Sequence, residues 1–219
     1  QHNSGSEQGQ TLNNPQQPVA SVSSDDAARY LNWLSKKEQL SPAYREDKGK
    51  MVGVFPMTTG YRFPTEAEWI FVARYGGVHK ISDKPLKYPW GPSMPPRDKS
   101  GNFADRSASG RLPFVIRDYR DGYSVAAPVG KYSPNKSGIY DLGGNVAEWC
   151  HDYYDTAISI GQNVKRDPVD PKFGTFRVVR GSSWRHGEVT ELRLSFRDYA
   201  KVPRNDLGFR VARYVDIPK

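Results

Sequence analysis

Apolar side chains recur at helical spacing in two stretches of the chain. In the first, Ala27, Tyr30, Leu31 and Leu34 share one face, Ser23 or Ser24 is placed to cap the start, and Asp25 and Asp26 sit at the positive end of the helix dipole. This predicts a helix near residues 25–38. In the second, YRFPTEAEWIFVARYGG, Thr65 and Glu68 form a T-x-x-E capping box and Gly76 follows the last apolar residue, which predicts a helix near residues 66–75. The last forty residues change period: FRVVRGSSW, ELRLSFRDY and GFRVARYV are short, aromatic and β-branched, and their partial alternation predicts an antiparallel meander. Residues 1–17 are rich in Gln and Asn with almost no apolar side chains, which predicts a polar loop or disordered arm.

Between the second helix and the meander the pattern dissolves. Residues 80–138 hold many of the chain's 17 prolines, with single Gly, Ser and Asp scattered among them, and neither period persists. So long an irregular stretch needs cross-links if it belongs to a compact domain. A disulfide is unavailable, because Cys150 is the single cysteine, and the same count excludes a multi-thiolate zinc or iron–sulfur site. A bound cation is a natural alternative. The stretch YDLGGNVAEWCHDYY, residues 140–154, gathers acids, glycines, an Asn, the cysteine and a His within one short run. The residues alone leave it open between an active site, a metal site and a tightly folded corner, since acids such as Asp141 and Glu148 commonly cap turns or pair with arginine.

Composition narrows the class. A chain of 219 residues with 37% hydrophobic content, 13 Tyr, 9 Phe and 5 Trp builds one domain with an aromatic-rich core, taken as residues 18–219 behind the polar arm. The net charge of +8 arises from 32 basic against 24 acidic residues, scattered singly, a distribution that argues against a nucleic-acid partner. No run approaches the roughly 18 apolar residues of a membrane span, and the amino terminus lacks the basic-then-apolar order of a signal peptide.

Four stretches in order, YRFPTEAEWIFVARYGG, GIYDLGGNVAEWCHDYY, RVVRGSSW and VPRNDLGFRVAR, make the chain resemble the formylglycine-generating enzyme, or sulfatase-modifying factor, domain family from about Pro18 to Tyr214. The resemblance implies an α+β, irregular, loop-rich, C-type-lectin-like fold with two helices and small antiparallel sheets. It also implies that the family's N-terminal portion, several strands and a helix, is missing ahead of residue 18. In the family's copper-dependent oxidases two cysteines follow the G-G-S-[FW] turn. Here the turn is Gly181-Ser182-Ser183-Trp184, and counting without gaps places His186 and Glu191 where the thiolates would stand. Copper(I) chemistry with oxygen needs the soft thiolate pair, so no copper and no oxidase activity are expected. Cys150 is read as a buried or idle thiol.

The same resemblance implies structural calcium. One family site maps onto Asp141, Gly144, Val146 and Glu148, and a second onto Asn102, Phe103, Asp121 and Tyr123. Calcium takes six to eight hard oxygens, and glycines let the backbone curl so that carbonyls converge. The arginines of the carboxyl-terminal segment admit two readings. Arg180 and Arg210 are expected to pair internally, with Glu66, Glu68 and Asp152 as the acids at hand, whereas Trp184, Arg185, His186 and Arg193 are expected to form an exposed ligand face.

The leading expectation is therefore a non-oxidase, calcium-stabilised module binding an unidentified protein or small molecule at the carboxyl-terminal meander, in the periplasm or outside the cell. In family members with diversified lectin-like surfaces, the region matching Trp184 to Arg204 makes the contact. One alternative is an enzyme of different chemistry resembling the pyoverdine-maturation proteins, with His151, His186, Glu188 and Glu191 as acid/base candidates. Another is a structural component of a cell-envelope assembly.

Overall fold

A computed structural model describes residues 2–76, 84–156, 169 and 172–215. Its elements are β1 (Ser6–Glu7), β2 (Gln10–Thr11), α1 (Ser24–Lys37), β3 (Tyr44–Asp47), β4 (Lys50–Gly53), α2 (Glu66–Tyr75), β5 (Ala147–Tyr153), β6 (Arg177–Arg180), β7 (Arg197–Ala200) and β8 (Leu207–Gly208). Both helices begin where their caps predict. Ser23 accepts from the Asp26 amide at 3.0 Å, and Thr65 and Glu68 complete a reciprocal capping box before Gly76 ends α2 in the left-handed conformation.

The central sheet has the order β7-β6-β5-β8. All seven residues of β5 are buried, and alternate side chains enter different cores. Trp149 and Val179 pack with Ala27, Leu31 and Phe63 on the α1 side. Cys150 and Val178 pack with Trp69, Ala73, Leu142 and Leu194 on the α2 side. The sheet is thus covered by one helix on each face, an α+β arrangement in which two β-hairpins, β1–β2 and β3–β4, complete the small antiparallel sheets.

Two expectations need correction. The carboxyl-terminal strands are not a simple meander: β6 and β7 pair antiparallel, but β8 crosses to pair parallel with β5, and Glu191 to Phe196 lie in turns. Leu207 is fully buried in the α1-side core, and its pairing with Ala147 of β5 holds it there. The amino-terminal segment is likewise neither a plain loop nor a disordered arm. Residues 6–11 form the β1–β2 hairpin, Leu12 is buried against Val125, Ala126, Val146 and Trp184, and the Gln17 side chain donates to the Ala126 carbonyl at 2.6 Å. One apolar side chain and a few polar contacts, made by Gln17, Glu7 and the Gln16 carbonyl, dock it.

The irregular stretch is held by hydrogen bonds through a buried backbone run, Asn102 to Asp105. The Ala104 amide donates to the His186 carbonyl at 3.0 Å, its carbonyl accepts from Ile116 at 2.8 Å, and the Asn102 carbonyl accepts from Asn145 at 2.8 Å. These bonds tie the segment at once to the 113–117 loop, to the residues before β5 and to the turn after β6.

Candidate functional site

The corner at 140–154 is built by backbone constraint. Asp141, Gly144 and Asn145 all have positive φ, and a Cβ at Gly144 would lie 2.7 Å from the Asn102 carbonyl oxygen, so only glycine fits there. Glu148 is buried and points not into an open cage but onto Arg210. One carboxylate oxygen accepts from Arg210 at 2.6 Å and from Trp69 Nε1 at 2.7 Å, and the other accepts from Arg210 at 2.5 Å. Arg210 also donates to the carbonyls of Tyr140 and Asp141. Asp141 accepts from the Gly130 amide at 2.8 Å, and burial pushes its carboxyl up, with the Glu148 charge acting the same way. The family's first calcium set, Asp141, Gly144, Val146 and Glu148, is brought together, but a guanidinium already satisfies the Glu148 carboxylate. As folded, these residues do not fit a second cation.

The second set fits better. Asp121 accepts from the amides of Phe103 at 2.9 Å and Tyr123 at 2.8 Å, which draws three of the four predicted residues around one carboxylate. Asn102 lies beside them, fully buried, and donates to the Val125 carbonyl at 2.8 Å while its own side-chain oxygen has no hydrogen-bond partner. A buried carbonyl oxygen left bare costs about 1–3 kcal/mol unless something accepts its lone pairs. Asp121 forms no ion pair among the described residues, and burial pushes its carboxyl up to about 7 against the pull of the two amides. Asp105, which the sequence reading passed over, is fully buried nearby and accepts from the Asp121 amide at 2.8 Å. The only signal for it was an acid two residues after Phe103. An orphaned oxygen beside a half-buried carboxylate that no cation among the described residues neutralises is the donor chemistry a hard cation completes.

His186 and Glu191, the pair that counting without gaps sets against the oxidases' thiolates, do face one another: His186 Nε2 lies 3.9 Å from a Glu191 carboxylate oxygen. The other ring nitrogen accepts from the Ser183 amide at 2.9 Å, which places the neutral ring's proton on Nε2, towards the acid. Trp184 does not join an exposed ligand face. It is 2% exposed and packs in the core with Leu12 and Val146, because the turn after Gly181 directs it inward. Arg185 is exposed, stacks over the outer side of Trp184 at 5.3 Å and donates to Asn205 at 3.1 Å. Arg193 is half-buried, and its Nε has no partner. Arg180 pairs with Glu66, as expected, and Arg210 pairs internally with Glu148 rather than with the acids anticipated.

Cys150 is fully buried, and burial raises its thiol well above the ordinary value, which disfavours the thiolate that a nucleophile or metal ligand needs. Among the described residues, no three His, Cys, Asp or Glu side chains cluster to hold a metal. No helix of the described residues is long and apolar enough to cross a membrane.

Residues 1–215 match the model of the sulfatase-modifying factor enzyme 1-like domain. The chain belongs to that family. It is 33% identical over 173 residues to a formylglycine-generating enzyme of Thermomonospora curvata, an alignment covering 78% of this chain and 45% of that protein. The chain spans about half the length of the curated relatives it matches. Among solved structures, Treponema denticola variable protein 1 superposes with a TM-score of 0.64 at 29% identity, over 95% of this chain and 74% of that one. PvdO from Pseudomonas aeruginosa superposes with a TM-score of 0.59 at 27% identity, over 92% and 64% of the two chains. Within the family this chain stands apart from the copper-dependent oxidases. With one cysteine, and that one buried between β5 and α2, it has no thiolate pair for copper(I).

Proposed function

We propose that the chain is a non-oxidase, calcium-stabilised module that binds a partner through the loops around residues 185–193. What carries this reading is the exchange of the thiolate positions for His186 and Glu191 on a loop fixed from below by the Ala104-to-His186 hydrogen bond. A surface of irregular loops on a rigid core suits recognition, and the likeness to a variable protein of Treponema denticola supports it. Calcium would be held by the side chains of Asn102 and Asp121 with the carbonyls of Phe103 and Tyr123. When bound, the ion supplies a cross-link between the Asn102–Asp105 run and the 121–123 turn. A site with one carboxylate suits the millimolar calcium found outside the cytosol, which favours a periplasmic or extracellular setting.

A second reading, an enzyme of other chemistry like PvdO in fold, draws on the His186–Glu191 pair, which sets a ring proton towards a carboxylate near the surface. Two measurements on the purified protein test the proposal: bound calcium by elemental analysis, and the melting temperature with calcium and with chelator. Absence of the metal together with identical melting would remove calcium from the assignment. Turnover of any substrate that is lost in His186→Ala would favour the second reading.

A further inference from the structure

The residues that tie the 185–190 loop down also raise a ridge beside it. Ile116 is bonded through Ala104 to His186, and a Cβ at Gly187 would lie 2.4 Å from the Phe114 carbonyl oxygen, so the two loops touch along their backbones. Pro113, Val115 and Arg117 line an open groove on each side of the ridge, one shared with Gly187 to Thr190 and the other with Arg106, Ser109, Gly110 and Leu112. Phe114 is 55% exposed and Val189 46% exposed, yet the backbone beneath them is fixed. The same segment is strongly basic. Arg106, Arg111, Arg117 and Arg120 are all exposed and form no ion pair among the described residues; Asp118 is the one acid between them, and the flanking Asp105 and Asp121 are buried and half-buried.

We infer that this ridge docks an acidic polypeptide segment bearing an apolar anchor residue. The inference rests on the partner-binding reading and names the class of partner. Both grooves are too open to bury most of a small molecule, as small-molecule sites do. An extended peptide instead gains by laying an apolar side chain against Phe114 and Val189 while its carboxylates meet the arginines. Asp118 and Glu188, one in each groove, oppose a continuous phosphate chain but leave gaps that a peptide's discrete charges can match.

The test uses the full chain in calcium buffer and three fluorescein-labelled 14-residue peptides of alternating Glu, Gln or Lys with Ser around one central Leu, plus a thymidine 14-mer. The Glu peptide should bind at least about tenfold more tightly than the Gln peptide, and binding should fall as salt screens the arginines. Arg106→Glu with Arg117→Glu should abolish that preference, and Phe114→Ser should weaken binding about fivefold, with melting temperatures unchanged because all three side chains are exposed. Equal binding of Glu and Gln peptides, tighter binding of the thymidine 14-mer, or full binding by the variants would overturn the inference. Should the Gln or Lys peptide bind at least as tightly as the Glu peptide and lose affinity in Phe114→Ser, the acidic class fails while the partner-binding reading stands. If no probe binds, both the acidic class and this surface are rejected.

Discussion

Arg210 and Glu148 make a two-pronged ion pair, 2.5 and 2.6 Å long, at the position where the family resemblance placed a calcium ligand. The acid's remaining contact is Trp69 Nε1, so the carboxylate links the carboxyl-terminal segment, β5 and α2.

The expected consequence is that Glu148 stabilises the fold through Arg210 rather than through calcium. Glu148→Gln should destabilise the protein by about 2 kcal/mol, less than the 3–5 kcal/mol of a fully buried pair because Arg210 is 24% exposed. That loss should be the same with calcium and with chelator. Asp121→Asn should behave oppositely, removing the calcium-dependent rise, which for an ion at a hundredfold excess over its dissociation constant amounts to about 2.7 kcal/mol. Thermal melts of the two variants in both buffers distinguish the assignments.

The absence of a thiolate pair gives a second expectation. Incubated with copper, reductant and oxygen, the protein should leave the mass of a sulfatase-type Cys peptide unchanged. The facing of His186 and Glu191 also predicts that His186→Cys with Glu191→Cys gains tight copper(I) binding, measurable by competition with a chromogenic chelator. If the double variant binds no more copper(I) than the parent, the gap-free register beyond the turn is wrong.

What the sequence made legible was local. Caps and helical spacing located α1 and α2 to within a residue, because a Thr65–Glu68 box specifies its own boundary. The β1–β2 hairpin left no trace in the apolar pattern, since its anchors are Leu12 and the Glu7 carboxylate, which accepts from Asn205 198 residues away. The inward turn of Trp184 and the parallel pairing of β8 with β5 follow from which core each side chain can reach, a tertiary fact that no window of residues contains. Among the arginines, the sequence named Arg180 and Arg210 as internally paired and offered Glu66 for Arg180, but it did not reach Glu148, 62 residues from Arg210, because only the fold brings those two together.

Glu66 is the clearest case of such pairing. It accepts from Arg180 and, on both oxygens, from Arg197, and so joins the first turn of α2 to β6 and β7. Glu66→Ala should leave the Arg180 guanidinium, 5% exposed, without its counter-charge and cost about 3 kcal/mol. The measurement is chemical denaturation, read as a lower midpoint at unchanged slope. A change below about 0.5 kcal/mol would show that the pair adds nothing beyond its desolvation cost.

His151 gives the fold a dependence on pH. The ring is 4% exposed, Tyr44 hydroxyl lies 3.0 Å from Nδ1, and the same hydroxyl accepts from the Phe63 amide; in the tautomer with the ring proton on Nε2, Tyr44 donates and Nδ1 accepts. Protonation would remove that acceptor inside the core. Burial first, and then the charges of Arg177 and Arg62, push the ring down to about 3 from an ordinary value of 6.5. Between those values the unfolded chain binds the proton and the folded chain does not. Stability due to this group is therefore complete above about pH 6.5 and falls as pH drops towards 3, by at most about 1.4 kcal/mol for each pH unit. His151→Gln keeps an acceptor for Tyr44 but does not titrate, so it should flatten the dependence between pH 6.5 and 4.5 even if its stability at pH 7 is lower. Denaturation midpoints at four pH values for both proteins make the comparison, and parallel curves would show that His151 is not the group responsible.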